Sequence, residues 1–121
     1  MCSSICRVIF PGEPFVVLQS MPNIRFHLPG TVVVPPHTDM DECEDGTRTA
    51  HPEFEQNFLL SITPAFDSNA MYLESSPGKG DFETVEMKPN TLLHFHGNKC
   101  VHGNHTNVTG KTRVSIDFRA I

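Results

Sequence analysis

A chain of 121 residues is enough for one domain and too short for two, so residues 1–121 are expected to form a single core that carries any site. The net charge of −5, without a basic cluster, excludes a phosphate-tracking surface for nucleic acid. The longest apolar runs, such as Thr31 to Pro36, are far too short to cross a bilayer, and the first residues lack a signal-peptide pattern, so a cytoplasmic protein without membrane contact is expected.

Ten prolines and eight glycines are spread along the chain, which interrupts every stretch long enough for a helix of several turns and favours short strands. After a leader in which Phe15 to Gln19 could add an edge strand, the predicted strands are Asn23 to Leu28, Thr31 to His37, Glu55 to Thr63, Ala70 to Ser75, Phe82 to Met87, Thr91 to Gly97, Cys100 to Gly103 and Thr112 to Arg119. Turn chemistry separates them, as at Pro29-Gly30, Pro77 to Asp81, Pro89-Asn90 and Asn107 to Gly110. Eight short strands with no helix between them predict an all-β jelly roll, in which pairing removes exposed edges. The polar stretch from Met40 to Phe54 carries Asp41, Glu42, Glu44 and Asp45 and reads as a long loop.

Cys2, Cys6, Cys43 and Cys100 match no zinc spacing, and without a secretion signal they are expected to be reduced thiols. The sequons at Asn104 and Asn107 are then polar turn residues, and Gly78-Lys79-Gly80 is a plain turn rather than a phosphate loop.

The chemistry-bearing pattern begins at His37-Thr38-Asp39. At a strand end, residues i and i+2 project to one side, so an imidazole and a carboxylate can converge on one ion. Alone the pattern is weak, arising by chance in roughly one chain in three of this composition. A second pattern is sharper: His102 is followed ten residues on by Arg113-Val114-Ser115, a string with a chance frequency of about 2%. On one strand face, the Arg113 guanidinium can pair with a carboxylate and Ser115 can add a hydrogen bond. Two imidazoles and one carboxylate on one face of an ion leave the opposite positions open for other ligands.

These residues resemble the iron(II)/2-oxoglutarate dioxygenases, whose double-stranded β-helix carries such a His-x-Asp, a distal His and an Arg. The resemblance implies Fe(II) held by His37, Asp39 and His102, with the carboxylate of 2-oxoglutarate held by Arg113 and Ser115. Arg25 to Gly30, Glu55 to Phe58 and Gly110 to Arg119 also look like a subgroup associated with streptomycin biosynthesis. The implied reaction is hydroxylation of a small polar molecule coupled to decarboxylation of 2-oxoglutarate to succinate. Asn57 is expected either to contact the keto acid or to be a satisfied buried amide. The acidic loop could attract a cationic substrate, although a solvated loop without ligand is the plainer reading.

Two rival readings stay open. One is a catalytically silent jelly-roll module that binds metal or ligand. The other is a cupin-type metal enzyme independent of 2-oxoglutarate, built on His94 and His96, which alternate onto one face of a strand. His105 is a third candidate for the distal ligand, whereas His27 and His51 are assigned core or surface roles, and Arg25 is expected to form a salt bridge or, alternatively, to orient substrate. Pointing Arg113 and Ser115 inward turns Val114, Ile116 and Phe118 outward. That apolar set is expected to be covered by a homodimer interface, by the first twenty residues or by part of a longer protein.

Overall fold

The computed structural model describes residues 10–13, 15–40 and 51–121. Seven antiparallel strands build two sheets: β1 (Asn23–His27), β2 (Gln56–Ser61), β3 (Met71–Leu73), β4 (Glu83–Val85), β5 (Leu92–Phe95), β6 (His102–Asn104) and β7 (Arg113–Ala120). One sheet has the order β1-β7-β2-β5 and the other β4-β3-β6. The only helical element among the described residues is a single 3-10 turn, Asp67–Asn69. No helix there is long and apolar enough to cross a membrane.

The expected all-β class and the turn positions hold. At Pro29-Gly30 and Pro89-Asn90 the second residue takes positive φ, 79° and 64°, and a backbone bond of 3.2 Å closes each turn. Proline supplies the first turn residue with its preset φ, and Gly or Asn tolerates the second. Lys79 pairs with Asp81 at 2.9 Å in a plain surface turn.

The second of the eight predicted strands, Thr31 to His37, is absent. Its β-branched run looks like a strand, but Pro35 and Pro36 have no N–H to give a ladder. The segment instead touches β6 at separated points: Asn104 N donates to Val34 O at 2.9 Å, and His37 and His102 exchange two backbone bonds of 3.0 Å as an isolated bridge. Gly103 makes the approach possible, since a Cβ there would lie 2.8 Å from Tyr72 Oη and 3.0 Å from Pro36 N. The leader also reaches the sheet, through an isolated bridge from Leu18 to Ala120.

Register sorts the side chains of the four-stranded sheet. Asn57 pairs with Arg119 and Phe95, Leu59 with Asp117 and Leu93, Arg25 with Ser115, and His27 with Arg113, so these residues share the inner face. Leu59, Ala65, Ala70, Met71 and Met87 form the buried apolar cluster between the sheets, with Val85, Leu93 and Phe95 against it. Each large side chain among them contributes roughly 2 kcal/mol through burial. Much of the remaining interior is polar, including His27, Asp39, Asn57, His102, Arg113 and Ser115.

The outer face of this sheet is apolar, as alternation requires. Phe58 is sealed by stacking on Phe118 and His94, at centroid distances of 5.1 and 5.0 Å. Ile24 and Phe26 stay 60% and 59% exposed. Cys100 is a free, buried thiol, whereas Cys2, Cys6, Cys43 and acidic residues 41–50 lie outside the described residues. Asn104 and Asn107 are buried: Asn107 donates to His27 O and Lys111 O, at 2.9 and 2.8 Å. Asn104 sits in β6, not in a turn, and donates to Ala70 O.

Candidate metal and keto-acid site

The bridge between His37 and His102 brings two distant parts of the chain together. Their rings lie 4.4 Å apart between centroids. Asp39, two residues beyond His37, places Oδ1 3.4 Å from His37 Nε2 and 3.8 Å from His102 Nε2. The donor atoms of all three lie within 4.8 Å of one another, close enough to share one ion. Among the described residues this is the only such group of three or more potential ligands.

The hydrogen bonds of the two rings set their tautomers. His37 Nδ1 faces Pro35 O at 2.9 Å, and His102 Nδ1 faces Cys100 O at 3.0 Å. A carbonyl oxygen only accepts, so each Nδ1 donates; in a neutral ring Nε2 then carries a lone pair. Two such lone pairs and a carboxylate oxygen converge, an arrangement that a cation relieves. A backbone carbonyl on the remote ring nitrogen is the usual support of a ligating histidine.

Electrostatics act in the same direction. Burial opposes ionisation of Asp39, but the neighbouring His37 ring, the bond from Asn57 and the charge of Arg119 outweigh it, holding the carboxyl well below its usual range. Burial, foremost, pushes His102 below the ordinary imidazole range, which keeps it neutral and able to ligate.

Arg113 opens β7 and lines the same cavity as His37, Asp39 and His102, a space of about 290 Å³. It is 3% exposed, and its Nε has no hydrogen-bond partner among the described residues. Burial, and then the neighbouring Arg25, push its pKa down to about 10, partly offset by Asp117. Ser115, two residues on along the inner face, is 1% exposed, and its Oγ also lacks a partner. A buried guanidinium whose Nε has no partner among the described residues fits an anionic ligand.

The other candidates fall elsewhere. His94 lies on the outer face, with Nε2 2.9 Å from Gln56 Oε1, so it does not join a ligand cluster. His96 is likewise absent from the ligand group, and His105 is an exposed ring tilted against Tyr72. His27 is fully buried between Asn69 O and Thr31 O, and His51 pairs with Glu55. Arg25 makes a 2.6 Å ion pair with Asp117. Asn57 follows the buried-amide alternative: its Nδ2 donates to Asp39 Oδ2 at 2.6 Å and its Oδ1 accepts from Gly97 N at 3.0 Å. Two site residues went unread in the sequence, Gly97 and Arg119. Arg119 lies 3.4 Å from Asp39 Oδ2, and the alternation that singled out Arg113 and Ser115 also places it inward.

No family model matches the chain. It is 30% identical over 107 residues to the streptomycin biosynthesis protein StrG of Streptomyces griseus, an alignment covering 88% of this chain and 47% of StrG. The chain thus spans about half the length of that relative. By structure it is similar to the non-heme monooxygenase ThoJ, solved as a nickel complex, with a TM-score of 0.61 at 12% identity, covering 89% of this chain and 45% of ThoJ. It is also similar to EvdMO1, with a TM-score of 0.59 at 18% identity, covering 94% of this chain and 31% of EvdMO1. These likenesses establish a fold shared with a non-heme oxygenase.

Proposed function

We propose that this chain is the core of an Fe(II)- and 2-oxoglutarate-dependent oxygenase acting on a small polar molecule. The observation that carries the reading is the coexistence, in one cavity, of a two-histidine, one-aspartate group and a buried arginine whose Nε has no partner among the described residues. The likeness to StrG adds support for small-molecule biosynthesis, and the nickel complex of ThoJ adds support for a divalent metal on this fold.

In this reading the sheets form a jelly roll in which residues 31–37 take the place of an eighth strand beside β6. His37, Asp39 and His102 would hold ferrous iron. Arg113 would pair with the distal carboxylate of 2-oxoglutarate, with Ser115 as a supporting donor. Once bound, the two groups supply oxidative chemistry in which decarboxylation to succinate is coupled to hydroxylation of substrate. Val33, Val34, Met71 and Phe95 contribute apolar surface to the cavity wall.

Anaerobic titration with iron(II) and 2-oxoglutarate tests the assignment. The wild type is expected to develop the weak visible charge-transfer band of a chelated keto acid. Arg113→Glu should lose that band while iron affinity stays within about threefold. Loss of iron itself in the variant, or no band in the wild type, overturns the reading. Succinate formation in air separates an oxygenase from a silent binding module.

A further inference from the structure

The two oxygens of Asp39 stand in different surroundings. Oδ1 is the oxygen nearest both imidazoles. Oδ2 accepts a 2.6 Å hydrogen bond from Asn57 Nδ2 and lies 3.4 Å from an Arg119 Nη2. Both partners of Oδ2 are held from behind. Gly97 N donates to Asn57 Oδ1, and Arg119 Nε lies 2.9 Å from Glu55 Oε1, which His51 Nδ1 approaches to 3.0 Å. A Cβ at position 97 would lie 2.6 Å from Asp39 Oδ2 and 2.7 Å from Asn57 Nδ2, so the clamp closes only over glycine.

A carboxylate can give a metal one oxygen or two. With three protein donors on one face, three positions of an octahedral ion remain, two for a keto acid and one more. A chelating aspartate would take one of them. We propose that Asn57 and Arg119 are positioning residues that occupy Asp39 Oδ2 and so confine Asp39 to a single metal bond. The inference rests on the metal reading above. It explains why a buried amide and a guanidinium converge on an oxygen that neither histidine approaches as closely as Oδ1.

Cobalt(II), a spectroscopic probe that needs no turnover, tests this on the full chain. Wild type should bind cobalt, and its visible d–d envelope should change when 2-oxoglutarate is added. In Asn57→Ala the envelope is expected to shift toward higher coordination before the keto acid is added, and keto-acid affinity for the cobalt form to fall at least tenfold. Arg119→Gln should shift the same way to a smaller extent, with Arg119→Lys restoring the wild-type envelope. If both variants keep the wild-type envelope and keto-acid affinity, this inference fails while the metal reading stands. If the wild type binds no cobalt, the metal reading fails and takes the inference with it. Should the variants not fold by circular dichroism, X-ray absorption on the wild-type cobalt form decides: one carboxylate oxygen on cobalt supports the proposal and two overturn it.

Discussion

At the scale of single residues, position 97 is the most sensitive point outside the ligands. Adding one methyl group there would push on Asp39 Oδ2 and on the Asn57 amide at once. Gly97→Ala is therefore expected to lower cobalt affinity by about 10- to 100-fold, the usual consequence of disturbing groups that orient a ligand. Competition titration against a chelator measures this, and an unchanged affinity would mean that the close approach at 97 is unrelated to the site. Arg113 and Ser115 could be read as a pair because strand alternation converts a short spacing into a shared face, whereas His37 and Asp39 converge with His102 although no strand forms around the first two. Asn57 meets Asp39 across 18 positions and Gly97 across 40, so no local spacing encodes the clamp.

At the scale of elements, short strands were legible because turns with distinctive chemistry bound them. The stretch before His37 was not, because its valines favour extension while the two prolines behind them deny hydrogen bonds. Glu74, just past β3, is a comparable through-space device. Its carboxylate accepts from Val101 N at 2.8 Å and Gly80 N at 2.9 Å, tying the residue before His102 to a turn in the same sheet. The bond from Val101, then that from Gly80, holds this carboxyl below its ordinary value of 4.5. A depressed folded-state pKa gives stability that is fully present above the unfolded value and is lost as pH falls through the folded one. Thermal melts should therefore show wild type more stable than Glu74→Gln at pH 7, with the gap closing as pH drops below 4.5. A gap that is constant across that range would refute the assigned role.

At the scale of the molecule, the two sheets divide their labour. The inner face of the four-stranded sheet carries most of the polar side chains of the cavity, and its outer face is left apolar around Ile24 and Phe26. That outcome was legible from alternation alone, since an arginine facing inward sends its neighbours outward. StrG, ThoJ and EvdMO1 each have about twice the length matched here or more. For this chain by itself, the outer face should bind an apolar dye such as anilinonaphthalene sulfonate. Phe26→Lys is expected to reduce that fluorescence at least twofold without lowering the melting temperature. Equal fluorescence in the two proteins would place the sticky surface elsewhere.

The proline-bearing segment beside β6 has one further effect. A strand bordering a sheet normally offers a free row of amide groups onto which another chain can add, the first step toward fibrils. Here Pro35 and Pro36 lie at that border and present no amide hydrogens, so an added strand would find no donor at these two positions.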